Sequence, residues 1–283
     1  MVFSTRFVID QTDPLTLAFF RFGIGSACLA PLLLRKSRVH LDTADRGAVI
    51  CLGILLYAVM PSLVTTGLQF TYAARGGLVL ASQPLLTLLL ARWRGEEQFT
   101  FTKLLGIAFT AIGLGLALSE GTESTGNEQL VWVGDLLLFA AALCVAVYNV
   151  YSRPYLQRYS ALLFTTLTMT VGALTLAPFA VGVSLVQGLP VLTPLGWVAV
   201  FYIGTFGAGI GYFLWVWALE RTTPSRVAIF LSLNPLTAML LGAALLNEPI
   251  TPRFFVGLLA VLIGIVMVAR PNLADRQGGA RLV

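Results

Sequence analysis

An internal duplication constrains the fold of this chain more than any other feature of its sequence. The segment Leu231–Gly264 repeats the segment Leu80–Gly113 at a constant offset of 151 residues, without a gap. The matched positions include residue types that chance agreement in a leucine-rich chain does not explain: Pro84 with Pro235, Glu97 with Glu248, Thr100 with Thr251, Gly106 with Gly257 and Gly113 with Gly264. An offset of 147 aligns the front of each copy, where Leu29-Ala30-Pro31 matches Leu176-Ala177-Pro178.

Composition indicates the environment of this duplicated unit. Only 11% of the residues are charged and 57% are hydrophobic, whereas a soluble domain carries about 25% charged residues. The apolar runs are long enough to cross a hydrocarbon core of about 30 Å, which needs ~20 helical residues. Because they are continuous and do not alternate with period two, they predict transmembrane helices. We therefore expect an all-α polytopic membrane protein whose partner is the lipid bilayer. The net charge of +5 is not a nucleic-acid signal, because the basic residues cluster beside the spans.

The apolar runs and their punctuation divide the chain into two repeats. We expect a first repeat at residues 1–119, an acidic connector at 120–129, a second repeat at 130–270 and a mobile cytoplasmic tail at 271–283. Helices are predicted near Pro14–Leu34, Gly47–Thr66, Gly76–Arg92, Lys103–Leu118, Val131–Tyr151, Ala161–Leu185, Leu195–Leu219, Ser225–Leu246 and Arg253–Val268. Because Met1 aligns with Tyr148, much of a first helix is expected to be missing, through a late start codon or truncation. About nine full transmembrane helices of a ten-helix fold would remain.

The placement of lysine and arginine predicts the orientation. Most basic residues fall in loops on one side, which we expect to be cytoplasmic together with the C-terminus, and Arg6, Arg75 and Arg253 fall on the other. An odd number of helices per repeat then places Glu97 and Glu248 on opposite sides, so the two repeats are inverted. Inverted repeats are typical of secondary transporters, whose substrate site lies at the repeat interface near the midplane.

The chain resembles the EamA family of the drug/metabolite transporter superfamily. The resemblance covers nearly the whole chain and rests on the duplicated five-helix unit, the Pro14…Arg21 pattern, Gly134-Asp135-Leu136-Leu137 and the Pro84…Glu97 and Pro235…Glu248 blocks. It departs at the front, where the family's first helix is absent. What the resemblance implies is a transporter of small metabolites in the bacterial inner membrane. Such a protein commonly exports amino acids or related amphipathic compounds by alternating access.

Arg21 is the one charge well inside a predicted span, about 10 Å along the helix from Pro14 at ~1.5 Å per residue. An arginine at a helix centre costs about 2.5–3.5 kcal/mol on insertion scales, so it needs a partner, a cavity or the interface. Two interpretations stay open. Arg21 either holds the carboxylate or phosphate of a substrate, or it is a structural arginine that snorkels or bonds carbonyl groups at helix ends.

Proline and aromatic positions supply the other candidates. Pro84 and Pro235 are predicted to kink their helices, and the preceding polar side chains, Gln83 and Asn234, either bond the freed carbonyl groups or face the cavity. Further residues are candidates for the cavity wall: Tyr57, Gln69, Tyr148, Asn149, Tyr212 and Trp215. The alternative for the aromatic residues is an anchoring role at the membrane interface.

Glycines recur at helix-packing spacing. Gly207-x-x-x-Gly211 is predicted to let a neighbouring helix approach closely. The same role fits Gly106 and Gly113, which recur as Gly257 and Gly264. In the family the last helix of each repeat is peripheral, which suits these glycines to contacts in a possible homodimer.

Catalysis is not expected from this sequence. An intramembrane enzyme needs a nucleophile–base pair or metal ligands inside the spans, and the sole histidine, His40, lies in a basic loop. We therefore predict no enzyme activity, no metal and no cofactor. Cys28, Cys51 and Cys144 are interpreted as small core residues, and Glu97 and Glu248 as helix-end hydrogen-bonding groups. A channel, a sensor or a transport-inactive protein is the alternative to a transporter.

Overall fold

A computed structural model describes residues 11–34, 41–71, 73–98, 100–118, 131–188, 192–233, 236–237 and 252–269. Every regular element in these ranges is helical. The α-helices are α1 (Pro14–Leu34), α2 (Arg46–Ile54), α3 (Met60–Phe70), α4 (Ala73–Leu80), α5 (Gln83–Trp93), α6 (Phe101–Leu118), α7 (Val131–Tyr151), α8 (Arg153–Leu156), α9 (Ala161–Gln187), α10 (Pro194–Tyr202), α11 (Gly211–Arg221), α12 (Pro224–Phe230) and α13 (Pro252–Ala269). A first π segment, Leu55–Val59, joins α2 to α3, and a second, Ile203–Ile210, joins α10 to α11.

Within the described ranges, five helical stretches are long and apolar enough to cross a membrane: Pro14–Leu33, Thr43–Phe70, Val131–Leu156, Ala161–Val186 and Pro194–Arg221. Large apolar side chains remain exposed on them, such as Leu174, Leu185 and Val186, at 67%, 82% and 86%. Such a surface is compatible with lipid and not with water. The predicted membrane-embedded helical fold is therefore confirmed.

Helix α9 contains a run of threonines that lipid would not tolerate with free hydroxyl groups. Thr166, Thr168 and Thr170 each donate their hydroxyl to the carbonyl oxygen four residues earlier, at 2.7, 2.8 and 2.7 Å. Helix α9 begins at a cap in which the Ser160 Oγ accepts the Leu163 N–H at 3.4 Å. The helix therefore satisfies these three hydroxyl groups within itself, whereas the buried Thr165 Oγ1 has no hydrogen-bond partner among the described residues.

The described chain divides into two compact units. The first comprises Met1–Thr65 with Tyr151–Arg221, and the second comprises Thr66–Val150 with Thr222–Val283. Each unit takes helices from both sequence copies. The compact units therefore do not coincide with the repeats that the sequence defines.

Glycine contacts inside the first unit follow the duplication. A Cβ on Gly53 would lie 3.1 Å from the Cβ of Val171, and one on Gly204 would lie 2.7 Å from the Cβ of Ile24. Gly204 corresponds to Gly53 at the offset of 151, and Val171 corresponds to Ile24 at the offset of 147. The two copies therefore make equivalent contacts with each other.

The second unit contains an interface between α6 and α13, which are equivalent helices of the two copies. A Cβ on Gly106 would lie 2.7 Å from the carbonyl oxygen of Gly264, and one on Gly113 would lie 2.6 Å from that of Gly257. The front of each helix thus meets the back of the other, so the two run antiparallel. Equivalent helices that run in opposite directions are the signature of an inverted repeat.

The expected packing role of Gly211 needs correction. Gly211 is exposed, and a Cβ there would meet only the carbonyl oxygen of Phe206 in its own helical stretch. The close contacts come from Gly204 and from Gly209, where a Cβ would lie 3.3 Å from the carbonyl oxygen of Gly25. The reason is the second π segment, since a π turn closes from residue i to i+5 and places residues five apart on one face. The predicted pair of Gly207 and Gly211 assumes α-helical spacing.

Of the three cysteines, Cys144 is buried, whereas Cys28 and Cys51 are exposed and are not core residues.

Near Pro84 the helix is interrupted, which differs from the single kinked helix predicted over Gly76–Arg92. Helix α4 ends at Leu80, and α5 starts again at Gln83 with Pro84 in its first turn. A proline is tolerated there because its missing N–H would have no partner inside the helix. Pro235 and Asn234, like Glu248, lie outside the described residues.

Candidate functional site: an arginine in an aromatic cluster

Helix α1 carries Arg21 into the interior of the first unit. The helix starts at a strong cap, because the Asp13 Oδ2 accepts the backbone N–H groups of Leu15 at 3.0 Å and Thr16 at 2.9 Å. Arg21 follows about two turns later and is partly buried. Its Nε is buried and finds no hydrogen-bond partner in the part of the chain that the structure describes.

The Arg21 guanidinium lies beside aromatic rings from two different helices. Its central carbon is 5.3 Å from the ring centroid of Phe22 and 5.7 Å from that of Tyr212. Both distances fall within the ~6 Å at which a cation is attracted to a ring face. This attraction offsets part of the cost of placing the charge in a membrane span, but it does not supply acceptors for the N–H donors of the guanidinium.

The rings around Arg21 contact one another and form what we call the aromatic cluster: Phe22, Tyr57, Tyr212 and Trp215. The Tyr57 centroid lies 5.1 Å from the centroids of both Phe22 and Tyr212, and Phe22 and Tyr212 are 5.8 Å apart. Trp215 extends the cluster, with its ring 5.4 Å from that of Tyr212. The tilted and edge-to-face angles, 49° to 87°, are those that aromatic quadrupoles favour.

Both π segments adjoin the cluster. Tyr57 lies inside the first one, and Tyr212 lies two residues after the end of the second. The offset of 151 carries residues 55–59 onto residues 206–210, so the two segments occupy the same place in the two copies. π turns are rare and occur frequently at functional sites. Their recurrence next to Arg21 singles out this part of the first unit.

Four of the nine predicted cavity residues therefore meet in the first unit, namely Arg21, Tyr57, Tyr212 and Trp215. Gln69, Gln83, Tyr148 and Asn149 belong to the second unit, and Asn234 lies outside the described ranges. Gln69 is exposed on α3, which does not favour a cavity position. Asn149 is fully buried, and neither of its amide atoms has a hydrogen-bond partner among the described residues.

Sequence reasoning missed Phe22, which is 1% exposed and contacts Arg21 from the next position on α1. A phenylalanine in an apolar run carries no signal of its own. The prediction for Glu97 was incomplete. Its Oε2 pairs with the Lys103 Nζ at 3.0 Å, and its Oε1 accepts the N–H of Ser225, in the first turn of α12. Glu97 thus caps a distant helix and does not simply close its own turn.

A second polar site of the first unit lies where the span Thr43–Phe70 begins. The Asp45 carboxylate receives hydrogen bonds from the Tyr159 hydroxyl at 2.7 Å and from the Arg158 Nη1 at 2.8 Å. The Tyr159 oxygen in turn accepts the Asp42 N–H at 3.2 Å. The hydrogen bond to Asp45 raises the pKa of Tyr159, because losing the proton would break that bond. This network ties the start of α2 to the connection between α8 and α9.

Comparison with known proteins identifies the family. The sequence profile of the EamA-like transporter family matches residues 1–119 and 132–270. The chain belongs to this family. The resemblance to the EamA family is therefore confirmed, and an integral membrane protein of a transporter family is shown.

Relatives of this EamA-family chain carry transporter names. It is 29% identical over 267 residues to the "Uncharacterized transporter YyaM" of Bacillus subtilis (strain 168), across 92% of this chain and 86% of that protein. An "Uncharacterized transporter" of Archaeoglobus fulgidus is 27% identical over 268 residues, across 95% and 91%. A solved crystal structure superposes with a TM-score of 0.79 at 19% identity and covers 98% of this chain and 94% of that one. At that identity it supports the fold alone.

Proposed function

We propose that this protein is a secondary transporter that moves small amphipathic metabolites, such as amino acids or related compounds, across the cytoplasmic membrane by alternating access, with export as its direction. Membership of a transporter family supports transport itself. One observation carries the rest of the proposal. The two π segments, one from each copy, bring Tyr57 and Tyr212 together beside Arg21.

The π segments suit a protein that alternates between conformations. A π turn and an α turn differ by one residue, so exchanging one for the other rotates the helix that follows relative to the helix before it. Tyr57 and Tyr212 lie at the points where such a rotation would move them. Because the segments are equivalent in two inverted copies, an exchange between their states would convert an inward-open form into an outward-open one.

The chemistry of the cluster suits an amphipathic solute. It combines the apolar faces of aromatic rings with a cation whose Nε has no acceptor among the described residues. A solute with one apolar and one polar end would match both features. The alternative role predicted for Tyr212 and Trp215, that of anchors at the membrane interface, is disfavoured. Both side chains are at least partly buried, and Trp215 contacts Tyr212.

Orientation and assembly belong to the same proposal. We place the C-terminus in the cytoplasm because lysine and arginine concentrate in the loops on that side. A homodimer would have to use faces other than the one that carries Gly106, Gly113, Gly257 and Gly264, because α6 and α13 use these glycines against each other within one chain.

A two-stage experiment tests the proposal. Cells that overproduce the protein are compared with empty-vector cells for compounds that accumulate in the medium, and the compounds found are then assayed for counterflow in proteoliposomes. We expect accumulation of a small number of amphipathic compounds and stimulation of labelled uptake by unlabelled compound on the opposite side. Such trans-stimulation is the kinetic mark of alternating access.

The alternatives predict different results. A channel would dissipate the gradient of the same compound without trans-stimulation. A sensor or a transport-inactive protein would change neither the medium nor the vesicle flux, and that result would overturn the proposal.

A further inference from the structure

We propose that Arg21 is the anion-binding residue of the transport site and that the substrate carries a carboxylate joined to a flat apolar group. The inference rests on the proposed transport function and narrows its substrate class. It assigns the carboxylate to the guanidinium and the apolar group to the partly buried rings of Tyr212 and Trp215.

The hydrogen bonding of the Arg21 side chain is incomplete within the described residues. A structural arginine inside a membrane span pairs with a carboxylate or with backbone carbonyl groups. Arg21 makes contact with two ring faces, yet its buried Nε has no acceptor in the described part of the chain. Ring faces interact with the charge and leave the in-plane N–H donors free for a planar acceptor.

Arg221, another arginine of the same unit, also lies against an aromatic ring but has acceptors for its N–H groups. The guanidinium carbon of Arg221 lies 4.2 Å from the ring centroid of Trp217. Its Nη1 also donates to the Trp217 carbonyl oxygen at 3.3 Å and pairs with the Glu220 carboxylate at 3.2 Å. Arg221 therefore has both a ring contact and hydrogen-bond acceptors at a helix end. Arg21 has ring contacts, but its Nε has no acceptor among the described residues.

The geometry of a guanidinium determines the charge and the shape of the acceptor that it binds. The guanidinium fork matches a carboxylate or phosphate through two parallel hydrogen bonds. The groups beside Arg21 are rings, and no carboxylate of the described residues pairs with its guanidinium. Rings favour a flat apolar body and would not compensate the second charge of a phosphate. The inference therefore requires a carboxylate and an apolar group, but not an α-amino group, on the solute.

Binding measurements on the intact protein in lipid nanodiscs test this inference. The probes share one skeleton and differ in charge: 3-phenylpropionate, 3-phenylpropanamide and 2-phenylethylamine. Acetate supplies a carboxylate without the ring, and L-phenylalanine adds the amino group. We expect 3-phenylpropionate to bind roughly 10–100-fold more tightly than its amide, acetate to bind weakly, and L-phenylalanine to bind no better than 3-phenylpropionate.

Matched variants assign the effect to its residues. Arg21→Gln is expected to abolish the preference for the carboxylate over the amide, and Arg221→Gln is the control that keeps it. Tyr212→Leu should weaken every ring-bearing probe, whereas Tyr202→Leu, at an exposed tyrosine, should not. If Arg21→Gln does not fold, Arg21→Lys keeps the charge without the fork and should lower the preference by about tenfold.

Each outcome decides the inference. Equal binding of acid and amide by the wild type overturns it, as does a preference that survives Arg21→Gln, or no binding of any probe. The flux assay uses compounds found in the medium and none of these probes. A transporter that fails here therefore loses the anion site and keeps its transport function.

Discussion

The Glu97 Oε1 accepts the backbone N–H of Ser225 at 2.9 Å, although 128 residues separate them in the chain. The same carboxylate pairs with Lys103, and both side chains are almost fully buried. A carboxylate at the first turn of a helix interacts favourably with its unpaired N–H groups and its dipole. Glu97 thereby ties α12 to the start of α6 inside the second unit.

Loss of the Glu97 charge should destabilise the protein strongly. Glu97→Gln removes the carboxylate that pairs with the buried Lys103 ammonium, and breaking a buried ion pair costs about 3–5 kcal/mol. Thermal unfolding of the detergent-purified protein should show a large drop in the midpoint, and adding Lys103→Met should recover much of it. Arg94→Gln breaks the more exposed pair with Glu96 and should cost at most about 1 kcal/mol. An equal drop for Arg94→Gln and Glu97→Gln would contradict this account.

Larger side chains at the α6–α13 interface should separate the two helices. Gly113→Val places a branched side chain against the carbonyl oxygen of Gly257, which a Cβ would approach to 2.6 Å. Overpacking of this kind costs about 1–3 kcal/mol, so the unfolding midpoint should fall. The control is Gly182→Ala, because no atom of the described residues lies within 4 Å of a Cβ there. An unchanged midpoint for Gly113→Val would show that the interface yields without cost.

Removing one residue from a π segment should separate stability from transport. Deleting Ala58, inside Leu55–Val59, turns the wide turn into an α turn and moves Tyr57 relative to the following helix. We expect the deletion to be tolerated in thermal unfolding but to abolish counterflow of the identified substrate. Deleting Val181 from α9, which has no π turn, should instead destabilise the protein. Counterflow at the wild-type rate after the Ala58 deletion would contradict a role for the first π segment.

The Asp45–Tyr159 contact should make stability depend on pH in the alkaline range. The hydrogen bond raises the pKa of Tyr159 above its ordinary value of about 10. The contribution is therefore complete below the unfolded-state pKa and is lost as the pH rises through the folded-state pKa. Unfolding midpoints measured from neutral to alkaline pH should fall less steeply for Tyr159→Phe. The exposed Tyr202→Phe is the control, and identical slopes for wild type and Tyr159→Phe would refute the contact.

The spans with continuous apolar runs could be predicted from sequence. The bounds expected for Pro14–Leu34 and Val131–Tyr151 are those of α1 and α7, because polar residues flank long runs that are mostly apolar. The inversion of the repeats followed from charge placement, and the antiparallel contact of Gly106 with Gly264 agrees with it.

The π segments could not be predicted, since their apolar residues look the same in an α-helix. The error at Gly211 is a direct result, because the wider turn moved the packing face to Gly204 and Gly209. Lys103 was predicted only as the start of a helix, yet it is 1% exposed and pairs with Glu97. Pairs that depend on contacts between distant segments leave no local pattern. Arg21 stood out because a charge inside a span is costly, whereas the rings around it did not.

The glycine contacts between α6 and α13 are compatible with an origin of this chain from two identical copies of one ancestral unit. Gly106 meets Gly264 and Gly113 meets Gly257, so each copy offers the same surface to the other. A surface that binds its own likeness in reverse needs no second sequence. Two separate chains of a single ancestral copy, inserted with opposite orientations in one bilayer, would form this contact before any gene fusion. A fusion of two such copies would fix one copy in each orientation and would allow residues such as Lys103, whose counterpart is Phe254, to diverge.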